Sequence, residues 1–280
     1  MANPAFSSNP ALNGKTMTAE ELNRIYNEPA AELNRPGVDT PASAPQTSSA
    51  GAQVHASNDP MTYEDTIAKT AGLFVVLLAF GVIGWVFPVT MWIGAIAGLV
   101  LGFVNALKRE PSAPLIFLYA AAQGMFLGGI SMFFEAQWPG IVVQAVLGTL
   151  AVFAATLLLF ANGKVRTSPR ATKIFLIAMV GLLIFGFVNV ILMMTGVAPG
   201  MFGAYSIMLW GWLPLGVVIG LFSVLLAAYS LVMDFEFVKN GVENRVPRKY
   251  GWSAAFGLMV TLIWLYMEIL RILALLRGNN

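Results

Sequence analysis

No cysteine occurs in the 280 residues, and the only histidine, His55, lies within the first 60. The first absence removes disulfides, thiolate metal sites and cysteine nucleophiles. The second leaves the rest of the chain without an imidazole, so zinc proteases, haem carriers and serine–histidine hydrolases of the usual kinds have no ligand or base there. The last apolar segment holds no lysine for a retinal Schiff base, and no glycine-rich phosphate loop is present. An aspartyl-type protease needs paired aspartates, and a Glu in place of one argues against it. These exclusions point to a protein that is not an enzyme, with no cofactor, no high-affinity metal site and no nucleic-acid partner. Charge is also scarce, 11% of residues against 58% hydrophobic.

What the chain has instead is apolar sequence in long runs. After residue 66 it reads as seven segments, 67–87, 89–107, 115–134, 141–161, 174–194, 206–233 and 252–276. Runs of about 20 apolar residues cross a bilayer as helices. The expected fold class is an all-α, multi-pass membrane protein with seven transmembrane helices over residues 61–280. Residues 1–60 are rich in Ala, Asn, Pro and Ser, lack an apolar core of the signal-peptide kind, and are expected to form a disordered tail. Within that tail Thr18 and Glu21 fit a capping box for one short helix, and His55 reads as solvated. Lys108, Arg109, Lys164, Arg166, Arg170, Lys173, Lys239, Arg245, Arg248 and Lys249 all fall in the second, fourth and sixth connections, and none falls in the others. Basic loops stay cytoplasmic. The tail is therefore expected in the cytoplasm of a cell-membrane protein, with the C-terminus on the opposite side.

Two segments carry polar residues at helical spacing. In segment six, Gly216, Gly220, Ser223, Ala227, Ser230 and Asp234 form one stripe of small residues that ends in a carboxylate. Such a stripe lets another helix approach closely. Asp234 is either a solvated residue at the membrane edge or a group presented to that neighbour. In segment seven, Thr261, Trp264, Glu268 and Arg271 share one face. A charge at the bilayer centre costs about 2.5–3.5 kcal/mol on insertion scales, so this face should turn inward. Glu268 either pairs with Arg271, three residues on, or lines an ion or proton path. Segment two holds Gly94, Gly98 and Gly102, and segment three Gly124 and Gly128, as weaker packing signals.

The phrases "APLIFLYAAAQGMFLGGIS", "YSLVMDFEFVKNG" and "WLYMEIL", in the order of seven segments, resemble the Bax inhibitor (TMBIM, YccA-like) family, in its bacterial branch with a long N-terminal tail. The resemblance covers about residues 66–276 and leaves the tail outside. It implies a bundle whose last helix is central and wrapped by the other six, acting as a pH-sensitive calcium leak. It further implies that Asp234 and Glu268 form a hydrogen-bonded carboxylate pair, with Arg109 or Lys108 as a basic latch onto it. Glu268 stands where many members have Asp, one methylene longer. Two carboxylates are too few oxygens for tight calcium binding, so calcium would be a permeant ion rather than a resident one. Some relatives imply a rival role, in which the bundle is an interaction platform for a partner such as a membrane protease.

Helix geometry makes the implied pair demanding. Sixteen residues separate Trp252 from Glu268, about 24 Å of helix, whereas Asp234 sits near the basic end. The two meet if segment six continues past Asp234, or if residues 250–257 lie at or outside the cytoplasmic surface. The aromatic and small residues of "RKYGWSAAFG" favour the second route.

Overall fold

The computed structural model describes residues 59–198, 200–209 and 211–278, so the expectations for the tail, including Thr18, Glu21 and His55, lie outside the described residues. Seven helices are long and apolar enough to cross a membrane. They are α1 (Tyr63–Val86), α2 (Thr90–Leu107), α3 (Ala113–Gln137), α4 (Ile141–Ala161), α5 (Pro169–Met194), α6 (Leu215–Glu243) and α7 (Gly251–Arg277).

Their ends follow local chemistry. Thr62 caps α1 by accepting from the Asp65 amide at 3.2 Å, and Glu64 and Asp65 place negative charge in the first turn, where the helix dipole favours it. Ser168 caps α5 in the same way, with Pro169 at the first helical position, where its missing N–H costs nothing. The Glu135 carboxylate, near the end of α3, accepts from the Gly140 and Val142 amides and so satisfies donors at the start of α4.

Segment six differs from the sequence reading at both ends. Residues 206–209 and 211–214 are not α-helical. A 3-10 turn (Gly203–Ser206) leads into a two-residue hairpin, β1 (Met208–Leu209) with β2 (Leu213–Pro214), which turns at Gly211 with φ 78°. A run such as "IMLWGWLPL" is apolar enough to look like helix, but Gly211 supplies the left-handed turn and Pro214 has no N–H to donate within a helix. At the other end α6 continues nine residues past Asp234, to Glu243. Segment six therefore runs on past Asp234, and residues 251–257 belong to α7 itself, with Gly251, Ala254 and Ala255 buried.

α7 packs mainly against α1, α4 and α6, with α3 beside it. α2 joins the bundle through α3, and α5 joins through α6 and the 3-10 turn. The last helix is thus central, but it shares the centre with α3 instead of being wrapped evenly by six neighbours. Glycine decides this. Gly84, Gly124 and Gly128 bring the α1 and α3 backbones into contact, because a Cβ at Gly128 would collide with the carbonyl of Gly81 and one at Gly124 with that of Leu77. Such small-residue crossings are how helices associate where no hydrophobic effect drives them together.

The basic end is tied off by polar contacts. Residues 59–61 lie antiparallel to 246–248: Arg248 N donates to Asp59 O at 2.9 Å and Met61 N to Val246 O at 2.8 Å. Asp65 receives Arg248 Nε at 2.9 Å and pairs with Lys69 at 2.5 Å, while Lys69 Nζ also donates to Arg248 O. Lys69 lies inside the first apolar segment and keeps its charge compensated through these bonds. We predict that Gly128→Leu, which forces the α1–α3 crossing apart, lowers the unfolding temperature in detergent or prevents folding. Overpacking of this kind costs about 1–3 kcal/mol or more. Gly72→Ala, where a Cβ meets nothing within 4 Å, should leave the unfolding temperature unchanged or raise it.

Candidate functional site at the seam between the last two helices

The stripe expected on α6 faces α7. Gly216 and Gly220 are filled by Leu275 and Ile272 of α7, and Ser223 and Ala227 are almost completely buried. The polar residues of the two helices meet along this seam at two levels.

At the first level, Asp234 stands beside Thr261. Thr261 Oγ1 donates to Asp234 Oδ2 at 2.6 Å, and the Ser230 hydroxyl lies 3.2 Å from the same Thr261 oxygen. The single Thr261 proton is committed to the carboxylate, so Ser230 is the donor to Thr261. The chain therefore runs Ser230 to Thr261 to Asp234. Gly257 leaves room for the carboxylate: a Cβ there would stand 3.0 Å from Asp234 Oδ1.

The second level is built around Glu268, which is 8% exposed. Arg271 Nη2 donates to Glu268 Oε2, and Trp264 Nε1 donates to Oε1 at 3.2 Å. Ser223 faces the same carboxylate from α6. The Arg271 guanidinium lies 4.3 Å over the Tyr205 ring, while its Nε is buried without a hydrogen-bond partner. Tyr205 is held in place by the 3-10 turn, which Asn189 of α5 fastens by accepting from the Ala204 amide at 2.6 Å. Phe185 packs edge-on against Tyr205 at 5.0 Å.

The two carboxylates do not hydrogen-bond to each other. Thr261 and Glu268 are seven residues apart on α7, about 10 Å along the axis. Buried Ala227, Leu231 and Leu265 pack together in one apolar cluster at the seam. The continuation of α6 past Asp234 lowers that residue into the bundle but not as far as Glu268, so the implied pair is corrected to two separate polar levels. The implied latch is corrected as well. Lys108 and Arg109 are exposed in the α2–α3 connection, and neither side chain makes an ion pair with Asp234 or Glu268. Arg271 holds Glu268 instead, as the three-residue spacing allowed, and Asp234 has no cation partner among the described residues. Among the described residues, no three acidic or imidazole groups converge as a metal site.

The Bax inhibitor 1 like family profile matches residues 3–278. The chain belongs to this family. The match takes in most of the first 60 residues, which the resemblance had left outside. No curated protein matches the sequence. Seven spans and this membership establish a multi-pass membrane protein of the Bax inhibitor 1 like family.

Tyr205, Asn189 and Ser230's bond to Thr261 were not singled out as site features from sequence. Asn189 lies on α5 and Tyr205 in the fifth connection, and the turn at Gly203–Ser206, fastened by Asn189, brings Tyr205 to Arg271. We predict that Thr261→Val destabilises the protein in detergent, because a buried acceptor left without its donor costs about 1–3 kcal/mol, whereas Thr261→Ser retains the wild-type unfolding temperature to within a few degrees.

Proposed function

We propose that this member of the Bax inhibitor 1 like family is a pH-sensitive cation leak, passing calcium, whose path follows the α6–α7 seam. The observation that carries the reading is the placement of two acidic residues, Asp234 and Glu268, on one helix–helix seam whose α6 side is a stripe of small residues. Asp234 lies toward the end of the bundle that bears the basic connections, and Glu268 toward the other end. Hard divalent cations take oxygen ligands, and one carboxylate with one or two hydroxyls at each level binds them weakly, as passage requires.

The seam is closed between the two levels by the apolar layer around Ala227 and Leu265. A hydrophobic constriction of this kind blocks ions until it is wetted. Protonation at Asp234 removes the charge that the Thr261 hydroxyl compensates, and protonation at Glu268 dissolves its pairing with Arg271. Either change alters how α6 and α7 hold each other, so proton concentration acts on the closed arrangement through both sites. The basic connections favour an orientation with residues 1–60 and the even-numbered loops in the cytoplasm.

Calcium flux into vesicles carrying the purified protein, measured over a pH series, tests this. Asp234→Asn and Glu268→Gln should each lower the flux and flatten its pH dependence; if both variants match the wild type at every pH, the leak reading fails. A second measurement separates the leak from the partner-platform role. Deletion of residues 1–58 spares the strand-like contact of 59–61 with 246–248, so the shortened protein should conduct as the full chain does. Unchanged binding of a membrane protease to a variant that does not conduct would favour the platform instead.

A further inference from the structure

The glycine stripe on α2 has two fates. Gly94 packs against the α3 backbone at Ala122 and Phe126, whereas toward the basic end Gly98 and Gly102 face the Gln123 and Tyr119 side chains, and a groove opens beside them. There Ala95, Gly98, Gly102 and Ala106 of α2 form one wall of a groove of about 520 Å³, and Tyr119 and Gln123 of α3 form another. Phe256 of α7 closes the floor, with its ring edge-on to Tyr119 at 5.0 Å. The lining is almost wholly apolar.

The length and the mouth of the groove specify its occupant. From Ala95 to Ala106 is 11 residues, about 16 Å of helix, which is about half of a bilayer's hydrocarbon thickness. The groove thus runs about the depth of one leaflet. Directly past its last lining residue, α2 ends at Leu107 and the exposed Lys108 and Arg109 follow. Glu110 is paired directly with Lys249 at 2.7 Å, a hydrogen bond that holds its carboxyl below the usual range, and Lys108 adds only a lesser attraction without a direct ion pair. Neither Lys108 nor Arg109 makes a side-chain ion pair or hydrogen bond among the described residues. Two cations without a direct ion pair therefore stand where a headgroup would be if an acyl chain filled the groove.

We propose that the α2–α3–α7 groove binds one acyl chain of an anionic phospholipid, whose phosphate is held by Lys108 and Arg109. Basic residues at a membrane surface attract anionic headgroups, and the guanidinium and ammonium groups suit phosphate oxygens. The apolar wall provides the chain site and the two cations the headgroup selectivity, so the two contributions are separable.

The test uses the full chain, purified and delipidated in a neutral detergent, and titrated with phosphatidylglycerol or phosphatidylcholine of identical chains, with bound lipid counted by native mass spectrometry. Phosphatidylglycerol should bind roughly tenfold tighter or more. Lys108→Gln combined with Arg109→Gln should abolish that preference while weak binding of both lipids persists. Ala106→Phe, an exposed position at the mouth, should weaken both lipids together. Gel filtration and circular dichroism establish that each variant is folded. Equal binding of the two lipids by the wild type overturns the proposal, as does a headgroup preference that survives the double substitution. Loss of preference in the double variant with no effect of Ala106→Phe also overturns it, because the cations would then act as bare surface charge without the groove.

Discussion

A carboxylate inside hydrocarbon has to find its partners within the protein, and α6 and α7 are arranged so that this need is met twice. The two solutions differ. Glu268 is held by a cation on its own helix, with Trp264 one turn away on the same face, so most of its compensation is built into the local sequence of α7. Asp234 relies on neutral hydroxyls, one of them across the helix interface, and keeps its donor only while α6 and α7 stay in register. A shift of one helix along the other would leave Glu268's main contacts intact and strip Asp234 of its donor. The seam is therefore more sensitive at the Asp234 level, and a helix movement is read there first.

Close helix approach is the condition for this register, and glycine supplies it in distinct ways. On α1 and α3 glycines let backbone meet backbone, which fixes how the first three helices cross. On α6, Gly216 and Gly220 are sockets for Leu275 and Ile272, so the same residue type sets axial position by side-chain fit. On α2 the glycines toward the basic end meet no backbone at all, and the space they leave is the lipid-facing groove. Identical four-residue spacing thus has three structural meanings, and spacing alone does not distinguish them.

The seven spans were legible because length and hydropathy are local properties. α4 begins and ends at the residues read from the sequence, whereas α6 was misplaced at both ends: an apolar run does not announce a hairpin, and a helix leaving the membrane continues through polar residues such as Lys239 without changing its backbone. The inward face of α7 was legible as well, since Thr261, Trp264, Glu268 and Arg271 share it by helical period. The Glu268–Arg271 contact followed from the same period. The counterpart of Asp234 did not, because Thr261 and Asp234 are 27 residues apart and meet only through the relative position of two helices. Tyr205 and Asn189 were illegible for a related reason: their role depends on a 3-10 turn in a connection with no periodic pattern.

The sequence by itself determined that the chain is a seven-span, all-α membrane protein, that its basic residues gather at alternate connections, and that one face of the last helix is polar. Each of these is set within a single segment by composition or by the 3.6-residue repeat. Only the tertiary structure decided which polar residues meet, because axial register between helices is fixed by the sum of many glycine contacts and sockets spread over the bundle. That register places Asp234 against Thr261 and two turns short of Glu268, and it leaves Lys108 and Arg109 at the mouth of a groove instead of on a carboxylate.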